Sequence, residues 1–276
     1  MTLYFKLKIK DMLSNAELLG WGIGFIEFWV LMWVFVFSRT GEVKGSWEEM
    51  VVHIDASMAF SFLGLLSMAS VAISLAYYVF YASRAARYIT KFTRISPMRF
   101  MIEDFMSSLV VILIIVAVIY FSVMAVSHVK WGILPIPENP VGVFVDLIIG
   151  GVYLYWLSYM LALTIIVTRR TRALTMASFI PLILAFIAYS QLWVDFGNAM
   201  YIIPLCPLPA LIMYHATGAI PPTGSYLFWL AGGEMFNAVN LRLAALSTFA
   251  WIIVFALASL ILLRKSRGIP IEELRV

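Results

Sequence analysis

A chain of 276 residues in which 63% of side chains are hydrophobic and only 12% charged carries about half the charge of a soluble domain, which excludes a water-soluble globular fold. The formal charge of +4 fits basic loops facing anionic lipid rather than a nucleic-acid surface. A single cysteine, Cys206, excludes a disulfide framework, a CxxC redox pair and a Cys/His zinc pattern.

The chain begins MTLYFKLKIKDML, which sets Leu3, Tyr4 and Leu7 beside Lys6 and Lys10. That pattern predicts a short interfacial helix on the inner leaflet with its lysines among lipid headgroups. Six apolar segments follow, over residues 18–37, 59–81, 106–126, 141–167, 177–193 and 243–263. Each approaches the roughly 20 residues of helix that cross a hydrocarbon core about 30 Å thick. The fifth is short and borrows residues from Thr171 onward.

Two acids fall inside these segments, where a charge is costly and by default functional. Glu27 lies midway along the first and, at about 100° per residue, shares a face with Gly20 and Gly24. Asp146 lies in the fourth, with Gly142 and Gly150 on its face. Small residues beside an acid mark close helix packing, so each acid points into protein or a water-filled path.

Arginine and lysine set the orientation, because they concentrate in cytoplasmic loops. With the N-terminus inside, the cytoplasmic segments hold 15 of the 19, including Arg84, Arg87, Lys91, Arg94 and Arg99. Both termini are then cytoplasmic. Between the fifth and sixth spans, residues 194–242 are too apolar for a solvated loop, and Pro204, Pro207, Pro209, Pro221 and Pro222 prevent a continuous span. A re-entrant or outer-surface helical segment is expected there. With no repeat or soluble domain visible, residues 1–276 read as a single transmembrane domain.

The segment between spans two and three, RAARYITKFTRISPMRF, places Arg84, Arg87, Lys91 and Arg94 on one helical arc and Tyr88, Ile89, Phe92 and Ile95 on the next. Ser96 before Pro97 is an N-cap followed by the residue best tolerated at a first helical position, so a new helix starts there. The expectation is a short amphipathic helix held off the span by this break. It presents apolar knobs and arginines either to lipid headgroups or to a groove on a cytoplasmic partner.

On these residues the chain resembles the permease subunits of the ABC-2 family of ATP-binding-cassette transporters, in which a coupling helix and a Ser-Pro or Thr-Pro step join spans two and three. The amphipathic start, six spans, cytoplasmic termini and long segment before the last span extend the resemblance over nearly the whole chain. The acidic-Arg and Gly-Thr positions that many members show before the Ser-Pro step are absent. The resemblance implies a multi-pass cell-membrane permease of an exporter, paired with a second permease copy or a sister permease and with separate ABC ATPase subunits. Arg87, Tyr88, Lys91, Phe92, Arg94 and Ile95 would dock those subunits, and Glu27 and Asp146 would line the passage. No G-x-x-x-x-G-K-[ST] motif occurs, so the chain itself is expected to be neither an ATPase nor an enzyme of another kind. ATP and Mg would sit on the partner subunits, with no cofactor or metal held by this chain.

An alternative is a secondary transporter or channel-like protein using Glu27 and Asp146 for proton or ion coupling. His53, His128 and His215 fall in three separate loops without ligand spacing, which argues against a metal site. The pair Glu48-Glu49 is similar to the Glu-Glu motif of some intramembrane proteases, but the later Arg and helical His residues of that group are missing.

Overall fold

The computed structural model describes residues 3–38, 48–92, 96–233 and 237–266. Among them there is no strand, and five helices are long and apolar enough to cross a membrane: Glu48–Ser83, Met98–Trp131, Pro140–Thr168, Thr171–Leu192 and Leu241–Lys265. These fit an all-α, multi-pass membrane protein. A shorter apolar helix covers Gly22–Phe37.

The chain starts with α1 (Leu3–Ser14), then α2 (Ala16–Leu19) and α3 (Phe25–Met32), which carry a wide π-type turn between them at Gly20–Gly24 and another after α3 at Trp33–Phe37. Next, α4 (Glu48–Met58), a π-type turn at Ala59–Leu63 and α5 (Gly64–Phe92) form one uninterrupted helical path. This is the axial helix of the bundle, since 94% of its most apolar stretch is buried. By contrast only 22% is buried in the corresponding stretch of α12 (Leu241–Lys265). The exposed face of α12 carries Leu246, Phe249, Ile253, Leu257 and Ile261 at helical spacing, a surface for lipid or another apolar partner.

Caps define the other long helices. The Ser96 hydroxyl accepts from the Arg99 amide at 3.2 Å to open α6 (Pro97–Trp131), which closes at Gly132 with φ +70°. Asn139 accepts from the Gly142 amide at 2.9 Å and Pro140 follows, opening α7 (Pro140–Thr168). Asn240 caps α12 through the amides of Arg242 and Leu243. Between α7 and the long segment lie α8 (Leu174–Ser178) and α9 (Ile180–Tyr189).

Three contacts fix how the first helices lie. Lys8 meets Asp104 and Ser108, Glu27 meets Ser122, and Lys130 meets the carbonyls of Val34 and Ser38. Partners advance together along both chains, so the stretch from α1 through the turn at Trp33–Phe37 runs parallel to α6. From Asp104 to Lys130 is about 39 Å of helix at 1.5 Å per residue.

The proline-rich segment is a hairpin folded back into the bundle. α10 (Pro207–Thr217) runs antiparallel to α7: His215 meets Asp146, Leu208 approaches Gly150, and the Leu205 amide donates to the Tyr153 hydroxyl at 3.0 Å. Asn139 to Tyr153 is about 21 Å along α7. Leu205 sits at φ +72°, a strained conformation for a side chain of its size, and is fully buried. A last short helix, α11 (Tyr226–Leu230), precedes α12.

The structure departs from the sequence reading in three places. The segment after residue 81 is not a separate short helix up to Phe92 but the last turns of α5, because nothing between Tyr81 and Phe92 is glycine or proline. Lys8 does not face outward to lipid: α1 buries the stripe Phe5, Lys8 and Met12 and leaves Leu7 55% exposed. Finally His53, His128 and His215 lie on α4, α6 and α10 rather than in loops.

Candidate functional site

The segment marked for docking leads directly into a buried polar node. Arg87, Tyr88, Lys91 and Phe92 lie on the last turns of α5, and Arg94 and Ile95 lie outside the described residues. Beyond Ser96 and Pro97, two turns into α6, Asp104 is nearly inaccessible to solvent. Its carboxylate pairs with the Lys8 ammonium and accepts from the Tyr4 hydroxyl at 3.0 Å and the Tyr155 hydroxyl at 2.8 Å. Lys8 also donates to the Asp104 carbonyl and the Ser108 hydroxyl, both at 3.2 Å, and lies 5.2 Å above the Tyr78 ring.

One carboxylate thereby fastens α1, α6 and α7 together, with α5 brought in through Tyr78. Burying a pair of charges is tolerated because every acceptor and donor around it is engaged. Tyr4 is a hydrogen-bond donor to this carboxylate. The sequence reading set the lysines of the N-terminal helix among lipid headgroups and gave Asp104 no role. The available signal was an acid just before the third apolar segment, on the helix opened by Ser96–Pro97, where a buried charge requires a partner.

Glu27 is half-buried and accepts a hydrogen bond from the Ser122 hydroxyl of α6. The glycine that meets α6 is not the expected Gly20 or Gly24, each of which has open space where a side chain would start. It is Gly22, whose missing Cβ would lie 3.3 Å from both Ile115 and Val71. A π-type turn bonds i to i+5, so Gly22 and Glu27, five apart, come to one side. A fixed 100° step misphases that stretch.

Asp146 behaves as its spacing implies. Its carboxylate lies 2.6 Å from His215 Nδ1, and Gly142 leaves room for the imidazole, since a Cβ there would lie 2.6 Å from the ring. The Glu138 and Asn139 amides donate to the carbonyls of Ala216 and His215, so the end of α10 is clamped to the start of α7. Glu27 and Asp146 therefore each hold a neighbouring helix and are not brought to one common site by these contacts.

His53 lines a cleft of about 470 Å³ with Glu49, Ser57, Glu138 and Thr217. Among the described residues no three His, Cys, Asp or Glu side chains are grouped so as to hold a metal ion. Comparison with protein-family models, with curated proteins and with solved structures gives no match for the chain.

Proposed function

We propose that the chain is the membrane-spanning permease subunit of an ATP-driven transporter of the ABC-2 type, an exporter by resemblance, with ATP hydrolysed on separate ATPase subunits that dock at residues 84–100. The observation that carries this reading is mechanical. The docking segment as far as Phe92 is the end of the axial helix, and the helix starting at Ser96–Pro97 is locked two turns later to α1 and α7 through Asp104. A displacement applied at residues 84–100 would move four helices as a unit, as a coupling element requires.

Six spans with both termini cytoplasmic follow from the same reading. In support, the stretch from α1 to Phe37 keeps pace with α6 over about 39 Å, enough to cross a hydrocarbon core. The hairpin ending in α10 serves as the re-entrant segment, supported by the reach of Leu205 to Tyr153. The unpartnered face of α12 is available to lipid or to a second permease in the cell membrane.

The deciding experiment is co-purification of the ATPase subunits with variants of the docking segment. Phe92→Ala removes an aromatic anchor, and losing a central anchor costs about 2 kcal/mol or more, roughly thirtyfold in affinity. Phe92→Ala, and more severely Ile95→Asp, should give an inserted, correctly oriented protein that loses its ATPase. Reversing Arg87 and Arg94 to Glu should cause a milder, salt-sensitive loss, because exposed pairs contribute about 0–1 kcal/mol. Retention of the ATPase by both apolar variants would defeat the assignment. Greater damage from the charge reversal than from Phe92→Ala would make the segment a headgroup-binding helix instead.

A further inference from the structure

At the Asp104 end of the bundle two clefts adjoin along α1. The larger, about 710 Å³, is lined by Tyr77, Tyr78 and Tyr81 together with Asp11, Asn15 and Ser74. The smaller, about 430 Å³, shares Asp11 and Tyr78 and adds Lys10, Ser14 and Leu7. Tyr4 and Lys8 of the Asp104 node also line the smaller cleft, and Tyr78 lines both, so the clefts adjoin the node.

We propose that the paired clefts bind the headgroup of a phospholipid bearing a primary ammonium, of the phosphatidylethanolamine type, at the inner leaflet. The larger cleft has the chemistry for an ammonium. Tyr77 and Tyr81 stand 6.5 Å apart with rings 21° from parallel, offering π surface to a cation beside a carboxylate. The lining is rich in oxygen acceptors, Asp11 and Ser74 among them, which suits three N–H donors better than a methylated quaternary nitrogen. Tyr77 is held by a hydrogen bond to Thr175 at 3.1 Å, so one wall is fixed.

The smaller cleft supplies the phosphate partner. Asp11 follows Lys10 with an offset of about 100° around α1; both line the smaller cleft, and Asp11 alone of the two also lines the larger. A carboxylate and an ammonium one residue apart match the opposite charges of a zwitterionic headgroup, ammonium to Asp11 and phosphate to Lys10. Lipid is favoured over a free zwitterion because Leu7, lining the same cleft, is 55% exposed and Tyr81 is 60% exposed, giving apolar surface on which glycerol and acyl carbons can lie.

The inference requires a bilayer but not an ATPase, so it and the transport reading fail separately. Lipid occupancy is measured by native mass spectrometry on the full-length protein in detergent titrated with phosphatidylethanolamine, phosphatidylcholine or phosphatidylglycerol. Wild type should hold phosphatidylethanolamine at least tenfold more tightly than the other two. Asp11→Asn, which removes the charge and keeps the shape, and Tyr81→Ala should each reduce that preference about tenfold. Lys10→Gln should weaken all phospholipids. Phe92→Ala should leave occupancy unchanged, and Asp11→Asn should leave ATPase co-purification unchanged. Equal binding of the three lipids, or indifference to both Asp11→Asn and Tyr81→Ala, overturns the site. Soluble phosphoethanolamine bound as tightly as the lipid overturns the lipid as its occupant.

Discussion

Replacing Asp104 by leucine removes one acceptor from three groups at once: the Lys8 ammonium and the hydroxyls of Tyr4 and Tyr155. Breaking one side of a buried ion pair costs about 3–5 kcal/mol, and each orphaned buried hydroxyl about 1–3 kcal/mol. These terms overlap, because Lys8 keeps Ser108 and a backbone carbonyl, so a loss of about 5 kcal/mol is expected. Lys8→Met is milder, about 3 kcal/mol, since Asp104 retains two phenolic donors. The double variant carries no unpaired charge and should lose no more than Asp104→Leu alone, a coupling of about 3 kcal/mol. Unfolding of the detergent-solubilised protein by heat or SDS, run as a double-mutant cycle, measures all three. Additive losses, or single losses below about 1 kcal/mol, would refute the idea that the node is a cooperative unit.

Orientation is testable by cysteine labelling against a quiet background, because the one native cysteine is fully buried and burial pushes its thiol up to about 12. In intact cells Arg99→Cys should be protected from membrane-impermeant maleimides and Val129→Cys labelled, and the reverse pattern would sink both the orientation and the docking assignment. Tyr153→Phe strips the acceptor from the Leu205 amide, a buried donor on a strained residue, and should cost about 1–3 kcal/mol while leaving the protein inserted. Proteolysis at residues 194–206 should accelerate in that variant, and an unchanged digestion rate would mean the Tyr153 bond does not hold the hairpin in.

What the sequence revealed and what it hid divide along a physical line. Long apolar runs, proline clusters and N-cap residues act locally, so five of the six expected spans appear as helices long and apolar enough to cross a membrane, and the helix start at Ser96–Pro97 and the proline-broken segment before α12 were also readable. The face of Asp146, Gly142 and Gly150 was also readable, because α7 keeps a regular helical period and an acid between glycines invites a partner. That the partner is His215, 69 residues later, was not, since pairing across the bundle leaves no trace in spacing. Around Glu27 periodicity failed for a different reason: a π-type turn shifts the phase of the helix, and the packed glycine became Gly22.

Lys8 shows the limit most plainly. In a stretch with lysines at 6, 8 and 10, the only local sign of which one turns inward is the apolar pair Phe5 and Met12 on the side of Lys8, and that sign does not say that a charge can be buried there. The distinction is made by Asp104, 96 residues away, and by Phe5 and Met12, which bury the same side of α1. The price of that burial is offset by Tyr4, Tyr155 and Ser108, which complete the hydrogen bonds of both charges. An isolated amphipathic helix on a membrane surface would not need such a pair, and its removal would leave the other helices unaffected. Here α1 is pinned to the first turns of α6, close to the break where the proposed docking segment ends. Under the proposed reading the N-terminal helix is therefore part of the element that transmits force. Deleting residues 1–14 should impair ATPase-driven transport even where the five long helices still insert, and full transport by that truncated protein would return α1 to the role of a surface anchor.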